Sequence, residues 1–275
     1  VGMLKPMEAL KRADPKKWHY GKAFNPEKIE SNYSSFIKIL TSLDVEILWM
    51  TPKNNENADS IFTYDPSFMT QKGAILLSPG KFLRKGEEKI HEEFYKNNNI
   101  PIIGKLSKTA IAEGGDMFWL DKETLVIGKG FRTNQIAIEQ ITSMLSKINV
   151  EVVSFDLPFF LGREACLHMM SLISIVDEKK ALCYLSLLPV GLVELLEKKG
   201  YELIEAPEDE FISSEGLNIN VLAIKPGICV MISGCPRTKK ALEKKGVTVY
   251  TFDGDALCIG CEGGPTCLTR PILRV

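Results

Sequence analysis

The stretch DMFWLDKETLVIGKGFRTNQIAIEQITSMLSKINVEVVSF, residues 116–155, contains one complete unit of the pattern that decides the fold. Its apolar periodicity predicts two strands at 116–120 and 124–128, a helix at about 134–147 and a closing strand at 150–155. Within the helix, Ile138, Ile141 and Leu145 recur at helical spacing, so one face of the helix is apolar. The unit is therefore strand, strand, helix, strand.

The same order of elements recurs three more times along the chain. The predicted second strands begin near residues 73, 124, 181 and 228, so they lie 51, 57 and 47 residues apart. Spacing of this kind is the signature of a supersecondary repeat. The other units are predicted at 61–65, 73–77, 87–97 and 100–103; at 167–176, 181–188, 190–200 and 201–206; and at 220–224, 228–232, 236–246 and 247–252.

The two ends of the sequence supply the parts of a fifth unit. Residues 266–275 form a predicted strand with no helix after it, and a predicted helix at 26–44 leads into a strand at 45–50. Joined, they complete a ring, which would hide sheet edges that an open sheet exposes. We therefore expect one α/β domain over 1–275, a five-bladed propeller whose fifth blade is shared between about 1–50 and 266–275.

Composition and charge exclude several classes of partner. Apolar residues make up 45% and charged residues 25%, and the net charge of −1 argues against a nucleic-acid partner. No run of 18 apolar residues indicates a membrane span, and the first twenty residues have no apolar signal-peptide core. With seven cysteines, we expect a reducing cytoplasm.

The segment GKGFRTN lacks GxGxxG, so no dinucleotide and no other cofactor is expected. The chain could form a homodimer.

Polar, reactive side chains recur at the start of each unit's first strand. They are Asp59 and Asp65, Glu113 and Asp116, His168, Asn218 and Asn220, and Cys267. In a ring with pseudo-fivefold symmetry, equivalent positions surround one axis. We therefore expect a single axial site that holds a thiol, an imidazole and several carboxylates.

These side chains point to the chemistry of a cationic substrate. Gly263, Gly264 and Pro265 predict a turn that aims Cys267 at the axis, because glycine permits backbone angles that other residues resist. A Cys–His pair performs nucleophilic catalysis. Carboxylates around a thiol disfavour an oxyanion and favour a guanidinium, whose central carbon a thiolate can attack. His168 would protonate the departing amine and then deprotonate water.

The other cysteines and histidines have simpler interpretations. Cys166, Cys183, Cys229 and Cys235 are typical of small apolar core residues. Cys258 and Cys261 in CIGC could be a redox pair or half of a zinc site, but no second pair has matching spacing, so no metal is expected. His91 is predicted on a solvated helix face and His19 in a charged loop.

Seven segments together resemble the guanidino-group modifying superfamily, which has the pentein fold. They are NADSIFTYDPSFMT, RKGEEKIHEEF, EGGDMFWL, GKGFRTN, CLHMM, CPRTKKALEKKG and EGGPTC. The chain is most similar to bacterial-type dimethylarginine dimethylaminohydrolases and amidinotransferase-related proteins. The resemblance implies Cys267 as nucleophile and His168 as acid/base, with Glu113 orienting His168 or holding the guanidinium.

The resemblance also implies which residues bind the substrate. Asp65, with Asp59 and Asp116 nearby, would pair with the guanidinium, and Arg132 and Lys85 would meet an amino-acid carboxylate. Three positions depart from the related enzymes. Tyr64 stands where dimethylarginine enzymes carry an acid, Met170 where arginine deiminases carry an aspartate, and Lys85 where an arginine is expected.

The sequence thus predicts a hydrolase of C–N bonds in linear amidines. Its substrate would be a small guanidino compound, such as arginine or a methylated arginine. A covalent thiouronium intermediate would give a ureido product such as citrulline plus amine or ammonia. The alternatives are an amidinotransferase, which passes the amidino group to an amine, and a non-catalytic binding protein of the same fold. If Arg132 binds the carboxylate, Arg132→Ala should mainly raise KM.

Overall fold

The computed structural model describes residues 1–52, 56–163 and 167–273, which form a mixed α/β fold. The strands of this part are β1 Gly2–Leu4, β2 Leu48–Met50, β3 Ser67–Thr70, β4 Gly73–Leu76, β5 Ile102–Lys105, β6 Met117–Asp121, β7 Thr124–Lys129, β8 Glu151–Asp156, β9 Ile173–Asp177, β10 Lys180–Cys183, β11 Glu202–Glu205, β12 Leu222–Lys225, β13 Ile228–Ile232 and β14 Thr248–Phe252. The α-helices are α1 Glu8–Lys11, α2 Pro15–Trp18, α3 Pro26–Ser42, α4 Glu87–Asn97, α5 Gln135–Leu145, α6 Val190–Lys198, α7 Glu208–Ser213 and α8 Pro236–Lys244.

Of the five sheets formed by the described residues, four have three strands and follow the predicted repeat. In each, the first strand pairs antiparallel with the second, and the third pairs parallel with the second. A helix (α4, α5, α6 or α8) connects the second strand to the third, as a parallel pairing requires. These four helices lie within a few residues of their predicted positions.

The fifth sheet is built from both ends of the described chain. β1 pairs parallel with β2, and Gly2 also forms an antiparallel bridge with Arg270. The middle strand of this unit is therefore β1, which the sequence pattern did not reveal. Residues 265–268 form a turn instead of the predicted strand, and 274–275 lie outside the described residues. The strand β1 ends at Leu4, and three residues are too few to show an alternating pattern.

Two predicted first strands are wrong: residues 61–65 contain no strand, and 167–176 is a strand only from Ile173. Ala58–Ile61 is a 3₁₀ turn and β3 begins only at Ser67, while β9 begins at Ile173 after a second 3₁₀ turn at Met169–Ser171. Apolar side chains in both segments are nevertheless buried, which explains why their composition resembled a strand. Because these segments are not paired in a β-sheet, their polar residues can form hydrogen bonds with neighbouring turns.

The core explains most of the remaining pattern. Helix α3 begins with Pro26 after Asn25, whose Oδ1 accepts from the Glu27 amide at 3.0 Å. It buries one face against β14, and that face is made by Ile29, Tyr33, Phe36 and Leu40. Cys183, Cys229 and Cys235 are buried as predicted, and Cys166 lies outside the described residues.

The prediction for His91 is wrong, since its side chain is buried. Ser67 Oγ lies 2.8 Å from His91 Nδ1, and burial lowers the pKa of His91 to about 3. The apolar pattern of α4 could not indicate that His91 is buried, because its partner Ser67 is a polar residue on β3. Among the described residues, none of the helices combines the length and the apolar character needed to cross a membrane.

Candidate active site

The turns that precede the first strands bring the predicted polar residues together. Hydrogen bonds join the turns: Tyr64 N to Cys267 O at 3.1 Å, Gly115 N to Asp65 Oδ1 at 2.8 Å, Met169 N to Asp116 Oδ1 at 3.0 Å, Ser174 Oγ to Ile219 O at 2.6 Å and Thr266 N to Asn220 Oδ1 at 3.0 Å. Each unit is thus bonded to its neighbours at the level of the reactive side chains.

A charged cavity of about 390 Å³ opens at this place. Its walls include Asp59, Asp65, Arg132, His168 and Cys267. Glu113 lies behind this wall with its carboxylate fully buried. The structure therefore brings six of the eight predicted site residues to one cavity or directly behind it, and leaves Asp116 and Lys85 apart.

Glu113 is the centre of the site's hydrogen bonding. Its Oε2 lies 2.7 Å from His168 Nε2. Arg132 donates from Nε to Oε1 at 2.9 Å, and its Nη2 forms an ion pair with Oε2 at 2.8 Å. The amide of Gly80 donates to Oε1 as well. Burial favours the neutral carboxyl, but Arg132, His168 and Arg84 outweigh it and hold the Glu113 pKa well below its usual range. Glu113 is an anion that fixes the His168 ring.

The other two carboxylates of the cavity also have basic partners. Arg84 is buried and donates from Nη1 to Asp65 Oδ2 at 2.5 Å. Lys81 Nζ lies 2.6 Å from Asp59 Oδ2, and Tyr20 OH donates to Asp59 Oδ1 at 2.7 Å. The site is closer to electroneutral than its carboxylates alone suggest.

The sequence indicated neither of these basic residues, and it predicted Lys85 as a contact of a substrate carboxylate. Lys85 is exposed and its Nζ lies 5.0 Å from the centroid of the Phe82 ring, whereas Lys81 and Arg84 line the cavity. Lys81 and Arg84 lie three apart in KFLRKG, around the 3₁₀ turn Phe82–Arg84, and that spacing was the available signal. Lys85 is therefore not among the cavity walls, and the cation beside Asp65 is Arg84.

Cys267 lies in a turn whose two glycines allow close packing. Asn220 Nδ2 donates to Cys267 Sγ at 3.2 Å. A Cβ on Gly263 would lie 2.3 Å from the Phe62 ring, and one on Gly264 would lie 2.4 Å from Asn220 Cγ. Neither glycine has positive φ, so the expectation of an unusual backbone angle is wrong. These positions exclude a side chain because neighbouring atoms fill the space.

Asp116 supports the histidine turn from behind. Its Oδ1 accepts from the Met169 amide, its carboxyl is buried, and burial raises its pKa to about 6. It does not line the charged cavity. The predicted substrate contact of Asp116 has no geometric support, and the residue instead holds the segment that carries His168.

Among the described residues, we considered two groups of side chains as metal ligands. Ligand atoms of Asp65, Glu113 and His168 lie within 4.8 Å of one another, but Arg84 and Arg132 already bind the two carboxylates, and their charges would repel a cation. Cys258 and Cys261 are buried, and burial raises the pKa of both thiols, which disfavours the thiolates that a metal needs. The absence of a structural metal stays a prediction.

Comparison with known proteins gives matches over most of the chain. A family model described as "N,N dimethylarginine dimethylhydrolase, eukaryotic" matches residues 6–268. The uncharacterized protein YkgA of Bacillus subtilis is 28% identical over 242 residues, 88% of this chain and 79% of that protein. The N(G),N(G)-dimethylarginine dimethylaminohydrolase of Pseudomonas aeruginosa is 27% identical over 255 residues, 91% of each chain.

A solved structure gives the same fold. The product-bound N-terminal domain of ArgZ, an arginine dihydrolase of the ornithine–ammonia cycle in cyanobacteria, superposes with a TM-score of 0.80 at 18% identity, over 99% of this chain and 98% of that one. Together these matches confirm the resemblance to the guanidino-group modifying superfamily and the enzyme class expected from it.

Proposed function

Because the chain belongs to the N,N-dimethylarginine dimethylhydrolase family, we propose that it hydrolyses a small guanidino compound of the arginine or methylated-arginine type. One observation carries the proposal: Cys267 and His168 line one charged cavity, and His168 is held by the buried Glu113 carboxylate. A nucleophile and a base oriented by a third group are the parts that covalent catalysis needs.

The reaction has two halves that share His168. The Cys267 proton passes to His168, and the thiolate forms a C–S bond to the guanidinium carbon. The C–N bond to the leaving amine breaks as His168 returns the proton to that nitrogen, which leaves a thiouronium on Cys267. His168 then takes a proton from water, the hydroxide adds to the same carbon, and the C–S bond breaks. The products are a ureido compound, the amine and the restored thiol.

The charged partners determine how the substrate lies. Asp65 Oδ1 and Oδ2 each accept one hydrogen bond, from Gly115 and Arg84, and a carboxylate has about four acceptor sites, so Asp65 can also accept from a guanidinium. At the other end, Asp59 suits an α-ammonium. Arg132 and Lys81 also line the cavity, and their positive charges suit an α-carboxylate.

An amidinotransferase is the second candidate, because an amine in place of water would give amidino transfer from the same intermediate. We also propose that the five sheets surround one axis as a closed propeller. The Gly2–Arg270 bridge and the hydrogen bonds between successive turns support closure.

The test is a product assay with the purified protein. We expect Nω,Nω-dimethyl-L-arginine or L-arginine to give a ureido product together with an equal amount of amine or ammonia. Cys267→Ser should reduce the rate to the blank. Cys261→Ser is the matched control, because Cys261 lines the same cavity but its pKa is raised by burial. Product from Cys267→Ser at the normal rate would disprove the nucleophile. Amidino transfer without a ureido product would favour the second candidate.

A further inference from the structure

A second cavity of about 600 Å³ meets the charged one at the catalytic residues. His168, Cys267 and Glu262 line both cavities. The second cavity is otherwise mainly apolar and aromatic, with walls formed by Phe160, Leu161, Met170, Leu187, Phe211 and Ile212. The reacting thiol therefore lies between a charged compartment and an apolar one.

The walls of this apolar cavity combine rigid and exposed surfaces. Tyr184 stacks on Phe211 with ring centroids 3.7 Å apart and planes 7° from parallel. Leu161 is 75% exposed and Ile212 67% exposed, although large apolar side chains are usually covered. An apolar group placed between them would remove this surface from water. The proposed hydrolysis of a small arginine derivative does not by itself use that surface.

The histidine ring shows which part of a substrate would enter. Nε2 of His168 is held by Glu113, and Nδ1 lies beside Gly115, where a Cβ would be only 2.4 Å away. Gly115 lines the apolar cavity and not the charged one. Because His168 and Cys267 line both cavities, a substrate whose amino-acid end lies in the charged cavity has its leaving nitrogen at the mouth of the apolar cavity.

We propose that the apolar cavity binds the N-substituent of the leaving amine, and that it selects guanidines with an aliphatic or aromatic substituent larger than methyl. The inference rests on the proposed function and names its substrate class. Among the described residues that line this cavity, the charged side chains other than the histidine are Glu215 and Glu262. Anionic substituents are therefore disfavoured.

The expected preference can be estimated from the buried surface. Each methylene that leaves water contributes roughly fourfold in affinity. Nω-butyl-L-arginine has three more methylenes than Nω-methyl-L-arginine, which gives roughly 60-fold as an upper limit. We expect the kcat/KM ratio of the butyl to the methyl compound to be on the order of tenfold or more.

The experiment compares these two compounds on three variants. Leu161→Trp and Ile212→Trp fill the cavity from exposed positions, and Val190→Trp is the matched control, 74% exposed outside the cavity walls. We expect the first two to lower kcat/KM for the butyl compound at least tenfold more than for the methyl compound. Val190→Trp should change neither. A butyl-to-methyl ratio near one, or equal losses for both compounds, would overturn the inference.

Calorimetric binding of the same two compounds separates this inference from the proposed function. If no ureido product forms but the butyl compound binds more tightly and loses that advantage in Leu161→Trp, the hydrolase proposal fails and the apolar subsite stands. If product forms and binding shows no preference for butyl, the subsite fails and the hydrolase stands. Absence of both product and binding overturns both.

Discussion

Replacement of Arg132 should affect stability and turnover together, because its guanidinium holds Glu113 by a hydrogen bond of 2.9 Å and an ion-pair contact of 2.8 Å. The Glu113 carboxylate is fully buried and the Arg132 side chain is 13% exposed. Loss of one partner from a buried ion pair costs about 3–5 kcal/mol. For a chain of this length, that corresponds to a melting temperature lower by roughly 6–20 °C. Because Glu113 also binds His168, kcat should fall as well as KM rise, unlike the KM effect expected from a carboxylate contact alone.

The pH dependence of the loss identifies its cause. The Glu113 pKa is lowered in the fold, so its stabilising contribution is present above the ordinary pKa of about 4.3 and is lost as pH falls toward the folded value. In Arg132→Ala the main opposing charge is gone while burial remains, so the pKa of Glu113 rises. The destabilisation should therefore be full near pH 7.5 and smaller near pH 4.

Thermal unfolding followed by circular dichroism at both pH values measures this. Arg237→Ala is the control, since Arg237 pairs with Asp209 at 2.6 Å on the surface and should contribute at most about 1 kcal/mol. A second variant, Arg132→Met, keeps most of the aliphatic stem and separates charge from packing. If Arg132→Ala destabilises no more than Arg237→Ala, or equally at both pH values, the charge argument is refuted.

Three further outcomes are expected. Burial raises the Asp116 pKa from 3.8 to about 6, so wild-type unfolding free energy should fall by up to about 3 kcal/mol more than that of Asp116→Asn between pH 4 and pH 7; equal slopes in urea titrations would contradict this. Lys85→Ala should change kcat/KM less than twofold because Lys85 is exposed over Phe82, and a tenfold loss would return Lys85 to the site. Gly115→Ala would place a Cβ 2.4 Å from His168 Nδ1 and should lower kcat more than about tenfold in the product assay, whereas normal kcat would show that the ring can move without loss.

Periodicity was enough to predict the repeat because each helix and second strand buries a complete apolar face. The helix α5 and the strand β7 lie close to their predicted positions for this reason. The strand β1 could not be predicted, since three residues carry no period and their pairing with β2 and Arg270 depends on distant parts of the chain. Short strands formed by tertiary contacts lack a local signal.

The site divides in the same way. Glu113, His168 and Cys267 occupy equivalent positions in the repeat, and from this we predicted that they lie close together. In the structure His168 and Cys267 line one cavity, and Glu113 contacts His168. The basic partners of the site could not be assigned from the sequence. The segment KFLRKG has no regular apolar pattern, so nothing in it indicates which lysine or arginine side chain is buried. Only the fold shows that Arg84 is buried. Which basic side chain neutralises a buried carboxylate depends on residues that are close in space but distant in sequence.

The most direct test of the account is the mass of the intact protein after rapid acid quench of a reaction with Nω,Nω-dimethyl-L-arginine. The account predicts a transient adduct with the mass of the substrate less dimethylamine, located on the peptide that contains Cys267, formed and lost at rates that match citrulline production. It predicts no adduct in Cys267→Ala and an unchanged adduct in Cys261→Ser. Citrulline formation by Cys267→Ala at the normal rate, or an adduct found on Cys261 alone, would contradict it.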